Sequence, residues 1–97
     1  MAIVTLRYWA AARDAAGLAE EKVSGSTLAE VLDAGLDAVR ARTVPPDSEQ
    51  ERARRLDLVL RRCSFLIDGT PAGTRPRESV AVPDGAVVEV LPPFAGG

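Results

Sequence analysis

One amphipathic helix limits the folds open to this chain of 97 residues. Thr27 and Glu30 have the spacing of a capping box, which marks the start of a helix. The apolar residues that follow recur at helical spacing and form one stripe: Leu28, Val31, Leu32, Leu36 and Val39. The pattern predicts a helix over about residues 28–42 that buries a single face. Gly35 in its interior would allow a close approach to a sheet.

Strand patterns lie on both sides of this helix. Before it, residues 3–9 alternate between apolar and polar positions, and residues 20–23 can pair back on them. A short helix-prone stretch, residues 10–17, separates the two. After the helix, residues 63–68 form a strand that an Asp-Gly turn closes. Residues 86–91 are almost continuously apolar, which predicts a strand at the centre of a sheet.

This order of elements predicts an α+β fold of the ubiquitin-like β-grasp class, with a mixed sheet packed on one main helix. We expect residues 1–97 to form a single domain, with residues 92–97 as a projecting C-terminal tail. A ferredoxin-like α+β fold is the alternative. It needs a second strong amphipathic helix between the late strands, and residues 71–79 do not supply one.

The middle segment, residues 43–56, is predicted to be peripheral. It starts with a diproline, and Ser48 and Glu51 offer a second capping box for a polar helical stretch. Its many charges are typical of a solvated helix face. Surface segments of this kind tolerate changes of length, so we expect residues 43–56 to lie outside the core.

The side chains offer little for catalysis. The sequence has no histidine, which removes the commonest general base and metal ligand. The carboxylates are scattered, without a pair suited to acid–base work. Cys63 shares one face of a predicted strand with Phe65 and Ile67. It is either a small buried hydrophobe or, if the two preceding arginines lower its pKa, a reactive thiol.

Charge and hydropathy limit the partners. The formal net charge of −2 argues against a nucleic-acid surface. No apolar run approaches membrane-spanning length, and the first residues lack a secretory signal, so we expect a cytoplasmic protein without membrane contact. Lys22 is the only lysine against eleven arginines, and composition alone gives no reason for this bias.

The strongest functional signal is the C-terminal tail, which consists of Pro92, Pro93, Phe94, Ala95, Gly96 and Gly97. Its two prolines favour an extended backbone, so the tail is predicted to project from the body. The last three residues have almost no side-chain width, and a narrow channel in a partner could admit them. The unhindered carboxylate of Gly97 suits attack on ATP to give an acyl-adenylate, followed by attack of a nucleophile on that carbonyl. The alternative is a frayed end without a function.

Several segments resemble the MoaD/ThiS family of ubiquitin-like sulfur carriers, and in particular its molybdopterin-synthase branch. The tail, LPPFAGG at residues 91–97, is the most specific of them. Residues 8–17, which read YWAAARDAAG, are similar to the family's aromatic–Ala–x–x–Arg–acidic–x–x–Gly segment. The helix start at residues 27–32 and the turn at residues 67–69 also fit. The resemblance covers the chain except for about residues 43–60.

This resemblance implies a non-catalytic sulfur-carrier subunit. An adenylyltransferase similar to MoeB would adenylate Gly97 with ATP, and a sulfur donor would convert the adenylate to a thiocarboxylate. The tail from Pro92 to Gly96 would enter a large synthase subunit similar to MoaE, with Phe94 docking at the channel mouth. Sulfur would then pass to a pterin precursor of molybdopterin. The resemblance implies no cofactor and no metal bound by the chain itself.

Other functions share the same tail and stay open. Carriers for thiamine thiazole synthesis, and carriers for amino-acid or siderophore sulfuration, use the same thiocarboxylate chemistry. A ubiquitin-like modifier conjugated to lysines needs the same activation step. A structural domain whose tail does nothing is a further alternative.

Overall fold

The computed structural model describes residues 2–93. In chain order the elements are β1 Ile3–Tyr8, α1 Ala10–Ala16, β2 Glu20–Ser24, α2 Leu28–Arg42, α3 Glu49–Leu60, β3 Ser64–Ile67, β4 Thr70–Pro71, a 3₁₀ helix Arg77–Ser79, and β5 Val87–Leu91. The helix predicted over residues 28–42 and the strands predicted on either side of it are therefore confirmed.

The five strands form one mixed sheet in the order β2-β1-β5-β3-β4. β1 and β5 run parallel, from Thr5 opposite Val87 to Tyr8 opposite Val90. The other neighbouring strands pair antiparallel. β5 is central, as its continuous apolar sequence predicts. Between β3 and β5 the chain carries only the two-residue strand β4 and the short 3₁₀ helix, so the ferredoxin-like alternative is wrong and the β-grasp prediction is confirmed.

The helices pack on one face of the sheet. Val4, Leu6 and Tyr8 of β1 point to that face and are buried. Gly35 lies where α2 crosses β1: a Cβ atom there would sit 2.7 Å from the Tyr8 hydroxyl and 2.9 Å from Cδ1 of Leu6. The close approach predicted for Gly35 is therefore observed, and a larger residue would push α2 away from the sheet.

Local signals set the ends of the elements as expected. The Thr27 side chain accepts a hydrogen bond from the Glu30 amide at 3.2 Å, and the Glu30 carboxylate accepts one from the Ser26 amide at 2.8 Å. The turn between β3 and β4 has positive φ at both central residues, 50° at Asp68 and 82° at Gly69. This is the geometry that Asp-Gly favours in a two-residue hairpin.

The prediction that residues 43–56 are peripheral is wrong for residues 49–56, which belong to α3. Ser48 caps the start of α3: its hydroxyl accepts a hydrogen bond from the Glu51 amide, as the second capping box predicts. Ala53, Leu56 and Leu60 then lie on one face of α3, are at most 2% exposed and belong to the main core. These three apolar residues recur at helical spacing, but the sequence around them is so rich in charged residues that the pattern was overlooked. α2 is therefore not the only helix that packs on the core.

We expect Leu56→Ala to lower the free energy of unfolding by about 2–5 kcal/mol, because it removes a fully buried side chain and leaves a cavity. Leu58→Ala is the matched control: Leu58 lies on the same helix and is 47% exposed, so we expect a loss below about 1 kcal/mol. Urea denaturation followed by circular dichroism measures both. Equal midpoints for the two variants would show that α3 does not contribute to the core.

Candidate functional site: the root of the tail

The structure locates the root of the predicted tail but not its tip. β5 ends at Leu91, after which Pro92 is half-buried and Pro93 is exposed. Phe94, Ala95, Gly96 and Gly97 lie outside the described residues. Because β5 is the central strand, the chain leaves the body from the middle of one edge of the sheet.

An apolar groove lies at this exit. Its walls are Trp9, Ala10, Leu91 and Pro92. β1 and β5 are parallel, so the residues that follow them emerge at the same edge, and the Trp9 amide donates to the Val90 carbonyl at 3.2 Å. Trp9 is 46% exposed, although aromatic side chains of this size are usually well buried. We call these four residues the tail-root groove.

Sequence reasoning placed Trp9 at the end of a strand and within the segment that resembles the family, but did not include it in the site. A signal was present, because Trp9 continues the alternation of β1 at an outward position. The structure shows a second sign of a site at the neighbouring residue, Ala10. Its backbone φ angle of 49° is uncommon for a residue with a side chain. Backbone conformations of this kind occur frequently at binding sites.

The groove continues into the sheet face that is opposite the helices. The half-buried side chains of this outer face are Thr5, Arg7, Leu66, Val87, Glu89 and Leu91. Arg7 lies between Glu20 at 3.8 Å and Glu89 at 3.9 Å, distances typical of weak, solvent-screened ion pairs. Within residues 2–93, no helix covers this face. It is a surface of mixed apolar and charged character that starts where the tail leaves.

A partly buried network holds the end of β1 behind the groove. The Tyr8 hydroxyl donates to Glu21 at 2.7 Å, and Arg42 donates to the other oxygen of Glu21 at 2.8 Å. Arg42 also donates twice to the Ala16 carbonyl at the end of α1. Burial, with the Glu21 carboxylate adding to it, raises the pKa of Tyr8 far above its usual range. Tyr8 therefore stays a neutral donor and fixes the strand end next to Trp9.

Cys63 is a packing residue and not a reactive thiol. Its side chain is half-buried and its sulfur donates to the Val59 carbonyl at 3.2 Å. Burial raises the pKa of the Cys63 thiol to about 11, although Arg77 partly opposes this effect. The preceding arginines, Arg61 and Arg62, are exposed and do not activate it. Of the two interpretations of Cys63 offered by the sequence, the structure therefore favours a small buried hydrophobe over a reactive thiol.

Within residues 2–93, no group of three or more histidine, cysteine or acidic residues is placed to hold a metal ion. No helix described there has the length and apolar character needed to cross a bilayer.

Comparison with known proteins identifies the family. A model of the ThiS family matches residues 6–97 of the chain. No protein of curated function matches the sequence significantly.

Solved structures share the fold. The small archaeal modifier protein 1 of Methanosarcina acetivorans is 23% identical, with a TM-score of 0.73 over 100% of this chain and 98% of that one. CysO in the BexX/CysO complex of Amycolatopsis orientalis is 20% identical, with a TM-score of 0.65 over 97% and 99% of the two chains. A complex of subunits 1 and 2 of molybdopterin-converting factor from Helicobacter pylori 26695 contains a match of 18% identity, with a TM-score of 0.56 over 98% and 99%.

We expect Cys63 of the folded protein to react with a disulfide reagent at about pH 8 at least tenfold more slowly than Cys63 of the urea-unfolded chain, because only the thiolate attacks and a raised pKa reduces its fraction. The rate for the folded protein should keep rising with pH up to about 11. Absorbance of the released thiolate measures both rates. A folded protein that reacts as fast as the unfolded one would show that Cys63 is activated.

Proposed function

Since the chain belongs to the ThiS family of ubiquitin-like sulfur carriers and small modifiers, we propose that it carries sulfur as a thiocarboxylate on Gly97 for the synthesis of molybdopterin. In this role it is the small subunit of a molybdopterin synthase. One observation supports the proposal most directly: the central strand β5 delivers Pro92 and Pro93 beside an exposed apolar groove. The tail and a docking surface therefore start at the same place.

The proposed chemistry takes place on the tail. The Gly97 carboxylate attacks the α-phosphate of ATP held by an adenylyltransferase similar to MoeB, and pyrophosphate leaves. A sulfur nucleophile from the donor then attacks the acyl-adenylate carbonyl, AMP leaves, and a thiocarboxylate forms. In a large subunit similar to MoaE, this sulfur is transferred to the pterin precursor. The chain itself supplies the acyl group and binds no cofactor.

The body of the protein serves to present the tail. Proline has a fixed φ, so the pair Pro92-Pro93 limits the directions in which the following residues can leave β5. Phe94, Ala95 and Gly96 are proposed to lie in the partner's channel, with Phe94 at its mouth. The short side chains after Phe94 let the partner's backbone approach closely.

Docking of the body is proposed to use the tail-root groove and the outer sheet face. A stable interface buries on the order of 800 Å² on each partner, which a six-residue thread alone cannot supply. Exposed aromatic residues commonly contribute most to such interfaces, and within residues 2–93 Trp9 is the exposed aromatic residue at the tail exit. Two solved structures that share this fold are complexes with a partner: subunit 2 of molybdopterin-converting factor in one, and BexX in the other.

A protein-modifier role is the second candidate. The modifier of Methanosarcina acetivorans matches the full length of this chain in its fold. Both roles start with the same adenylate and then differ in the nucleophile, which is sulfur in a carrier and a lysine amine in a modifier. The large subunit that co-purifies with the chain, and the mass of the product on Gly97, distinguish the two.

With the activating enzyme, ATP and a sulfur donor, we expect the intact protein to exchange one oxygen for sulfur at Gly97, measured by mass spectrometry of the protein and of its C-terminal peptide. Deleting Gly97 or appending one residue should abolish the exchange. Reacting atoms must approach within about 3–3.5 Å, and one extended residue displaces the carboxylate by about 3.3 Å.

Gly96→Val is the second variant of this experiment. It should fold normally and lose most of the exchange, because a branched side chain widens the thread inside a channel. Tail-truncated protein that still supports product formation at the normal rate would show that the chain is not a sulfur carrier.

We expect Trp9→Ala to weaken binding of the large subunit at least tenfold, which corresponds to about 1.4 kcal/mol. Isothermal titration calorimetry measures the dissociation constants. Leu58→Ala is the control, because Leu58 has the same exposure as Trp9, 47% against 46%, but lies on α3 on the other side of the sheet. If both variants bind as tightly as the unchanged protein, the tail-root groove is not part of the interface.

A further inference from the structure

The distribution of basic residues bears on the chemistry of an activated C-terminus. Of the twelve basic side chains, eleven are arginines and one is Lys22. Both residue types carry a positive charge, but a lysine amine can lose its proton and attack a carbonyl, whereas the arginine guanidinium stays protonated in proteins. Among the twelve basic side chains, Lys22 is therefore the only one with a nucleophilic amine.

We propose that Lys22 is the one internal acceptor for the chain's own activated C-terminus, so that Gly97 of one copy becomes linked to Lys22 of a second copy. The inference rests on the proposed function, because it uses the same acyl-adenylate. It goes further by assigning a modification site. Since each copy has one such lysine, the products are linear and unbranched chains.

The position of Lys22 suits this role. It is exposed in the middle of β2, one of the two edge strands of the sheet, and points to the outer face. Both neighbouring glutamates pair with arginines instead, Glu20 with Arg7 and Glu21 with Arg42. Within residues 2–93, no carboxylate lies within ion-pair distance of Lys22. Its amine is therefore open to solvent and to a second molecule.

The geometry favours a second copy over ring closure within one chain. Lys22 lies opposite Thr5, which lies opposite Val87 at the start of β5. The chain leaves β5 at the far end, four residues or about 13 Å beyond Val87. A tail that reached its own Lys22 would have to reverse direction directly after Pro92 and Pro93, which resist such a turn.

The reaction balances without a further reagent. The Lys22 amine attacks the Gly97 carbonyl of the acyl-adenylate, a C–N bond forms, and the C–O bond to AMP breaks. AMP leaves and the amine's proton passes to water. The sulfur donor competes for the same adenylate, so conjugation should be greatest when the donor is absent.

The test uses two sources of the activated chain. In one, the full-length protein is incubated with the activating enzyme and ATP, without a sulfur donor. In the other, the full-length chain is prepared as a C-terminal thioester by intein cleavage, which needs no enzyme. Both are held at alkaline pH, because only an unprotonated amine attacks. Gel electrophoresis counts the products, and mass spectrometry of proteolytic peptides locates the linkage.

We expect dimers and longer linear chains linked only through Lys22, and a loss of at least tenfold in their yield for Lys22→Arg. Lys22→Arg should still form the adenylate and the thiocarboxylate. The double variant Lys22→Arg, Arg54→Lys places a single lysine at a well-exposed position on α3, and we expect it to restore conjugation at residue 54.

Two outcomes overturn the inference. One is an undiminished yield of dimers from Lys22→Arg, which would assign the acceptor to another group. The other is a thioester that acylates added Nα-acetyl-lysine but forms no dimers. Absence of the adenylate in the enzymatic arm would contradict the proposed function instead, and the thioester arm would still decide the role of Lys22.

Discussion

The parallel pairing of β1 with β5 is the interaction on which the rest of the structure depends. It joins the first and last strands of the fold and places β5 at the centre of the sheet. Because the two strands run in the same direction, Trp9 and Pro92 emerge side by side. The tail-root groove is thus a direct product of the sheet topology. An antiparallel arrangement would have put the tryptophan and the tail at opposite edges.

Sequence reasoning succeeded where the signal was local. The capping residues Thr27 and Ser48 set the helix starts, and the Asp-Gly pair set the hairpin. It failed to predict the buried face of α3, because Ala53 is small and two arginines separate it from Leu56. Their burial depends on α1 and α2, which are distant in sequence from the positions that they cover. A stripe of three residues is too weak a pattern to predict such contacts.

The candidate site was predicted only in its tail. Pro92 and Pro93 stand out in the sequence because their backbone chemistry is independent of context. Trp9 does not stand out in the sequence, because its place in the groove depends on pairing with β5, which lies about eighty residues later in the chain. Pairing between residues so far apart in the chain cannot be predicted from the spacing of residues along one segment. The Tyr8–Glu21–Arg42 network was missed for the same reason, as it joins three separate elements.

The central position of β5 also has a mechanical consequence. A pull on the tail acts along the axis of β5, which is hydrogen-bonded to β1 on one side and to β3 on the other. Such a force loads two ladders of hydrogen bonds in shear, so many must break together and not one after another. A strand at the edge would peel away bond by bond. If the tail is withdrawn from a partner's channel, as the proposed function requires, this arrangement lets the body resist the tension without losing β5.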